Sequence, residues 1–423
     1  MKKNLEEWLQ WQETLHLSEI DLGLERIGKV AKELGLLTPN FPIITVAGTN
    51  GKGSTVAFLD AILRAEGYKT GAYTSPHLIN YNERIVLNGT QADDSLIVSA
   101  FEAIDKARSE ISLTYFEFST LAAIYIYHQK KVDVAILEVG LGGRLDAANL
   151  WDASLAIITS IGIDHIDWLG DDRDIIAVEK SGIMRADKPV ISGELDPPIT
   201  IKSEAQRIGA KLQQINTDFS YQLDSNSKKH WNWNKEETSI KLDLPNMPAI
   251  AGLKSINSTL PVSIKAINQG LKNTKVMGRL QVLQSNPEWL IDVAHNPHAA
   301  KQLAKYIKEN PVNGKTYALF SMLRDKDIVE VIQLMDKVID EWHIVATQGS
   351  RGLSLEALKD HFNQQSLLNF NEQKSKPSAL KQVSSYKSFA EACSTMKNIT
   401  KEEDRVVAFG SFLVISEILE NCT

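Results

Sequence analysis

Cysteine is nearly absent from this chain. Only Cys393 and Cys422 occur in 423 residues, and neither belongs to a Cys-x-x-Cys pair. A disulfide framework or a thiolate zinc site is therefore not expected, and the usage suits a reducing compartment. Long apolar runs are also missing, since none approaches the ~20 residues that span a bilayer. The start, Met1-Lys2-Lys3-Asn4-Leu5-Glu6-Glu7-Trp8, is too charged and acidic for a secretory signal. A cytoplasmic protein with no membrane partner is the expectation. Positive charge is not in excess either: the formal net charge is −7, which argues against a nucleic-acid partner. A local basic pocket for an anionic substrate stays compatible with that balance.

What is present is the composition of a globular protein, 43% hydrophobic and 23% charged. At 423 residues the chain exceeds the size at which single cores stop growing, so two domains are expected. Helical stretches around Leu5 to Leu15 and Leu24 to Leu34 precede a strand–helix alternation. Thr70 to Thr74, Val132 to Val139 and Ser154 to Ser160 read as strands, and Ser95 to Ile111 and Phe116 to Gln129 as helices. That alternation implies a mostly parallel sheet covered on both faces. Residues 212–245 change character and suggest a small antiparallel addition, with Trp231 and Trp233 on a hairpin face. A second α/β alternation begins near Arg279, with strands at Leu290 to Ala294, Thr316 to Phe320, His343 to Ala346 and Val406 to Phe409. Its helices start at His298, Asp327, Leu355 and Phe389. The boundary is placed at residue 278, giving domains 1–278 and 279–423.

The densest signal is Gly48-Thr49-Asn50-Gly51-Lys52-Gly53-Ser54-Thr55, between the apolar run Ile43 to Ala47 and a helical face of Val56, Leu59, Ile62 and Leu63. A buried strand, a glycine-rich turn and a helix N-terminus form an anion cradle: backbone N–H groups and the helix dipole face phosphates, and the lysine adds a mobile charge. The full Walker pattern would need Gly at Val46 and a hydroxyl at Gly53. This is a compact variant, with Ser54 as the magnesium hydroxyl. The loop specifies a nucleotide but no reaction.

Side chains at the ends of parallel strands point into the crevice that α/β sheets use for ligands. Glu138 follows Val134-Ala135-Ile136-Leu137 and opens the loop Gly140-Leu141-Gly142-Gly143-Arg144-Leu145-Asp146. His165 follows the next strand. Alone, such a Glu is solvated and such a His caps a turn; at successive strand ends beside a phosphate loop they suit a hard divalent cation. Ser75, in Ser75-Pro76, marks a turn by itself. Lys180 reads by periodicity as a helix-surface lysine. Asp292 ends the first strand of the second domain, with His295 near it. Asn296 and Pro297 read as the N-cap and first residue of a helix.

The chain resembles the dihydrofolate synthase/folylpolyglutamate synthase family of the Mur-ligase-like group. The matching stretches are Val46 to Ser54, Thr74 to Leu78 with Asn82-Glu83-Arg84, Thr114 to Glu117, Leu137 to Ala147, Asp164-His165, and Glu179 to Ile183. Gly278-Arg279-Leu280, Asp292 to His298, Ser321 to Asp327 and Gly410-Ser411-Phe412 continue the match nearly end to end. The resemblance implies a P-loop NTPase-like domain plus a Rossmann-like glutamate-ligase domain. It implies that Thr49, Asn50, Gly51, Lys52, Gly53 and Ser54 bind ATP phosphates, and that Asn246, Arg279 and Asp292 contact ATP, the last two across a cleft. Ser54, Ser75, Glu138 and His165 match magnesium positions, with two metal sites expected. Lys180 matches a lysine carried as a carbamate. Thr114, Tyr115, Phe116, Glu117, Leu145, Asp146 and Ala147 match a dihydropteroate pocket, and His295, with Lys52 and Lys180, the catalytic set. The implied reaction adds L-glutamate to dihydropteroate and to tetrahydrofolates through an acyl phosphate, in a monomer. A folylpolyglutamate synthase without the dihydropteroate activity is the alternative. Ala148, Met277 and Ser181 replace the usual Thr, Pro and Ala, and none of these changes removes a charged or ligating group.

Overall fold

The computed structural model describes residues 3–18, 20–223, 231–235, 238–242, 247–349, 351–373 and 381–422. The chain forms two compact units, Met1–Lys275 and Val276–Thr423. In the first, the strands are β1 Ile43–Ala47, β2 Thr70–Tyr73, β3 Ile85–Leu87, β4 Thr90–Gln91, β5 Val134–Glu138, β6 Leu155–Ile158, β7 Pro189–Ser192 and β8 Lys211–Gln214. They form one sheet in the order β4-β3-β2-β5-β1-β6-β7-β8. It is parallel from β2 to β8, and β3 and β4 add an antiparallel edge.

The central strands are buried on both faces, which is why β1 and β5 are apolar except for Thr45 and the terminal Glu138. Their period-2 alternation divides the side chains between two cores. Ile43, Ala47, Ala135 and Leu137 face helices Leu5–Leu15, Glu25–Glu33, Asp94–Arg108 and Tyr115–Lys130. Ile44, Val46, Val134 and Ile136 face the other way, toward helices Lys52–Glu66 and Ile264–Asn273. Val56, Leu59, Ile62 and Leu63 are all buried there, the face read from the sequence. The antiparallel addition is a three-stranded sheet of β9 Ser220–Leu223, β10 Trp231–Lys235 and β11 Thr238–Leu242, ordered β11-β10-β9. Trp233 on its central strand is buried in the second core.

The second unit holds a six-stranded sheet of β12 Gln281–Ser285, β13 Glu288–Asp292, β14 Thr316–Phe320, β15 Glu341–Val345, β16 Val383–Tyr386 and β17 Arg405–Phe409. The order is β12-β13-β17-β14-β15-β16, parallel except for β12. The sequence pattern located the four inner strands and missed β12 and β16. Both are edge strands with little burial, so no apolar run marks them.

One cysteine expectation is corrected. Cys393 and Cys422 stand as a disulfide, their Cα atoms 5.5 Å apart. They lie on helix Phe389–Ile399 and at the end of helix Phe412–Asn421, which pack side by side, a proximity that sequence spacing conceals. Among the described residues no helix is long and apolar enough to cross a membrane.

Candidate active site

The phosphate loop leaves β1 at Gly48, whose φ of 149° and crowding both demand glycine: a Cβ there would lie 1.9 Å from Thr159 Oγ1. Gly51, at φ 83°, precedes the first turn of helix Lys52–Glu66. The loop is suspended from the residues that leave β6. Thr49 Oγ1 donates to Gly162 O at 2.9 Å, Asn50 N donates to Ser160 Oγ at 3.0 Å, and Thr159 Oγ1 donates to Asn50 O at 2.6 Å. Lys52 Nζ donates to Gly48 O and Thr49 O at 2.9 and 3.3 Å, which curls its charge over the cradle. Thr159 and Ser160 were not singled out in the sequence; two hydroxyls directly after an apolar strand are the signal that could have found them.

The strand order brings the expected ligand positions to one edge. β2, β5, β1 and β6 are adjacent, with Tyr73 level with Leu137, Val46 with Glu138, and Ala47 with Ile158. Ser75, Glu138, the phosphate loop and the segment to His165 therefore emerge side by side. Ser75 N donates to Glu138 Oε2 at 3.1 Å, and a Cβ on Gly53 would lie 3.4 Å from the same oxygen. Glu138 is thus buried beside the start of the phosphate-loop helix, next to Ser54. His165 takes a left-handed conformation, φ 53°, and its N–H donates to Asp164 Oδ1 at 2.8 Å. Among the described residues no group of three or more His, Cys, Asp or Glu side chains forms a metal cage. Two serine hydroxyls, one carboxylate and one imidazole suit a magnesium-type ion that completes its shell with phosphate and water.

Lys180 is not a surface lysine. It is 3% exposed, on the inner face of helix Arg173–Ser181 with Ile176, Ala177 and Ser181. The surface position expected from periodicity is therefore corrected: Lys180 shares the buried face of Ile176 and Ala177, four and three residues before it. Burial, reinforced by the charge of Lys52, lowers its pKa from the usual 10.5 to about 7, against the pull of Asp164 and Asp146. The glycine-rich loop lies directly against this helix, since a Cβ on Gly143 would meet Glu179 O at 2.6 Å and Lys180 Cα at 3.0 Å. Asp146 closes that loop: Oδ2 accepts from Leu141 N and Oδ1 from Ala148 N, both at 2.9 Å. Burial raises its pKa to about 7 in spite of these bonds and of Lys52.

The stretches matched to a substrate pocket also converge. A Cβ on Gly140 would lie 2.7 Å from the Phe116 ring and 3.2 Å from Asp146 Oδ2. Leu145 O accepts from Gly23 N at 3.2 Å, and Ala147 is buried. Thr114 and Glu117 cap helix Tyr115–Lys130 reciprocally, with Thr114 N donating to Glu117 Oε2 at 2.8 Å and Glu117 N to Thr114 Oγ1 at 3.2 Å. Glu117 Oε1 also pairs with Arg26 at 3.3 Å, and Arg26 pairs with Asp21 at 2.6 Å. Residues 21–26 therefore join the same cluster, a contribution that no local pattern announces. Burial raises the Glu117 pKa against these partners.

Arg279, Asp292 and His295 lie in the second unit, and Asn246 lies outside the described residues. Asp292 Oδ2 accepts from Leu280 N and Oδ1 from Ala294 N, both at 2.8 Å. Burial raises its pKa, and those amides, Arg279 and His295 oppose the shift. His295 Nδ1 donates to Val293 O at 2.8 Å. Phe412 supports both neighbours: the Arg279 guanidinium lies 5.8 Å and the His295 ring 6.1 Å from its centroid. Asn296 caps helix Pro297–Glu309, as its sequence position suggested.

Two family models match the chain: Mur ligase middle domain over residues 46–247, and Mur ligase, glutamate ligase domain over residues 278–412. The dihydrofolate synthase/folylpolyglutamate synthase of Escherichia coli K12 is 41% identical over 423 residues, covering 98% of this chain and 95% of that protein. The chain belongs to the dihydrofolate synthase/folylpolyglutamate synthase family. Among solved members of this family, E. coli FolC in complex with DHPP and ADP aligns at a TM-score of 0.91 and 40% identity, covering 99% of this chain and 97% of that one. The Yersinia pestis bifunctional enzyme complexed with AMPPNP and Mn ion aligns at 0.89 and 39% identity, covering 99% and 98%. The α/β architecture, with a mostly parallel first sheet and a second sheet domain, is that of this family.

Proposed function

We propose that this chain is an ATP-dependent ligase that joins L-glutamate to dihydropteroate, forming dihydrofolate, and to tetrahydrofolates, forming polyglutamates. The carrying observation is the adjacency of β2, β5, β1 and β6, which delivers Ser75, Glu138, the phosphate loop and the His165 segment to one edge. The family relatives, crystallised with ADP and DHPP or with AMPPNP and Mn, support the same reading.

The substrate carboxylate attacks the γ-phosphorus of ATP, ADP departs, and an acyl phosphate results. The glutamate amine then attacks the acyl carbon, phosphate leaves, and the amine loses a proton as the amide forms. Thr49 to Ser54 hold the phosphates with backbone N–H groups, and Lys52 offsets the repulsion between carboxylate and triphosphate. Ser54, Ser75, Glu138 and His165 are the residues that would hold a divalent cation, which when bound supplies further positive charge there. Lys180, depressed to about 7, is substantially neutral near pH 7. A neutral amine can add CO2, releasing one proton and becoming a carbamate, an anion suited to a second cation. Arg279 and Asp292 contact ATP in this reading, and His295 stands near the nucleotide. Residues 1–278 form the ATP-binding domain and 279–423 the glutamate-ligase domain.

The test is ADP release with dihydropteroate and with tetrahydrofolate, each with and without glutamate. Glutamate-dependent release with both supports the reading, and release with tetrahydrofolate alone replaces it with the single-activity alternative.

A further inference from the structure

Arg84 is 9% exposed, yet among the described residues no carboxylate lies within ion-pair range of its guanidinium. Nε donates to His77 Nδ1 at 2.8 Å, so the imidazole acts as acceptor and is neutral. Two rings flank the cation, Tyr81 at 5.7 Å and Tyr115 at 5.4 Å. These contacts stabilise a positive charge only in part, and a buried guanidinium normally has an anion. The two terminal nitrogens donate to no described residue, and neither is among the sealed, unpartnered polar atoms of the interior.

The location says which anion fits. Arg84 O accepts from Thr74 N at 3.0 Å, which ties the residue to the exit of β2, immediately before Ser75. Tyr115, against the guanidinium, begins the helix whose next residue, Phe116, borders Asp146. Tyr73 bridges the two sides, its ring 5.8 Å from that of Phe116. Arg84 thus stands beside the start of the Tyr115–Lys130 helix and next to the segment that carries Ser75. A planar fork of N–H groups matches a carboxylate in two-point contact. Resting on the function proposed above, we infer that Arg84 receives the carboxylate of the acid substrate and aims it toward the ATP phosphates. His77, Tyr81 and Tyr115 fix the fork and supply no competing negative charge.

The experiment uses the full chain and its Arg84→Gln and Arg84→Lys variants. Steady-state ADP release is measured against dihydropteroate and against ATP. Equilibrium binding is measured for dihydropteroate and for its carboxamide, which lacks the negative charge. Arg84→Gln is expected to raise KM for dihydropteroate about 100-fold while KM for ATP changes less than about threefold. The wild-type preference for acid over amide should collapse toward unity in Arg84→Gln and survive in part in Arg84→Lys. An unchanged KM for dihydropteroate, or an acid preference kept in Arg84→Gln, overturns the inference and reduces Arg84 to a packing role. A rise in KM for ATP alone reassigns the anion to the nucleotide and also overturns it. Should Arg84→Gln fail to fold, equal binding of acid and amide by the wild type decides against it. Absence of dihydropteroate-dependent ADP release by the wild type overturns the functional reading itself, a different result from an active wild type with an indifferent Arg84.

Discussion

The two sheets end in differently built edges. At the first, the phosphate loop is tied by Thr49, Thr159 and Ser160 to the segment leaving β6, and Glu138 is tied to Ser75 from β2. Several strands therefore hold one another in place. At the second, Asp292 accepts two backbone amides, and Phe412 backs Arg279 and His295. In the proposed reaction the first edge fixes the reacting groups, where small displacements cost large factors in rate. The second positions the groups expected to contact the nucleotide in the proposed reading. Mutational sensitivity should follow that division.

The largest effects belong to the first edge. Glu138→Gln and His165→Ala should each lower glutamate-dependent ADP release by about 1000-fold or more, the scale of lost electrostatic stabilisation, with thermal unfolding near that of the wild type. Turnover within tenfold of the wild type in either variant would break the comparison. Next, Lys180→Ala should fall by about 100-fold or more and recover in part with a short carboxylic acid supplied in solution. Its pH dependence has a definite sign. The folded-state pKa of Lys180 lies below the usual value, at about 7, so the neutral amine grows as pH rises through 7. Activation by added bicarbonate should therefore be weak below that pH and strong above it, and activation that declines as pH rises through 7 contradicts the carbamate. A smaller effect is expected at the second edge. Asp292→Asn keeps an acceptor oxygen but loses charge, and should raise KM for ATP about tenfold with little change in kcat. The mildest is Phe412→Leu, which removes the ring and keeps the bulk; a rise in KM for ATP of about threefold is expected. A larger kcat loss in Phe412→Leu than in Glu138→Gln would invert the account.

Much of the first edge is legible without coordinates. The largely apolar runs of β1 and β5 announce strands buried on both faces, and residues 48–54 announce a phosphate cradle because glycine, lysine and hydroxyls are needed together there. Strand order is what the letters do not give. Only the pairing of β1 with both β5 and β6 shows that Glu138 and the His165 segment flank the loop. Periodicity alone puts Lys180 on the surface, whereas packing buries it on the face of Ile176 and Ala177. Arg84, and the chain from Asp21 through Arg26 to Glu117, are assembled by tertiary packing across sequence separations that no local pattern encodes. The edge strands β12 and β16 were missed for a simpler reason, that exposure lets their sequences stay polar.

The central claim is that one edge of one sheet activates a carboxylate for attack by glutamate, on either of two pterin acids. Parallel measurement of ADP release with dihydropteroate and with tetrahydrofolate, with glutamate present or omitted, tests it directly. The account predicts release with both acids that depends on glutamate. Release that ignores glutamate, or that dihydropteroate fails to support, would contradict it.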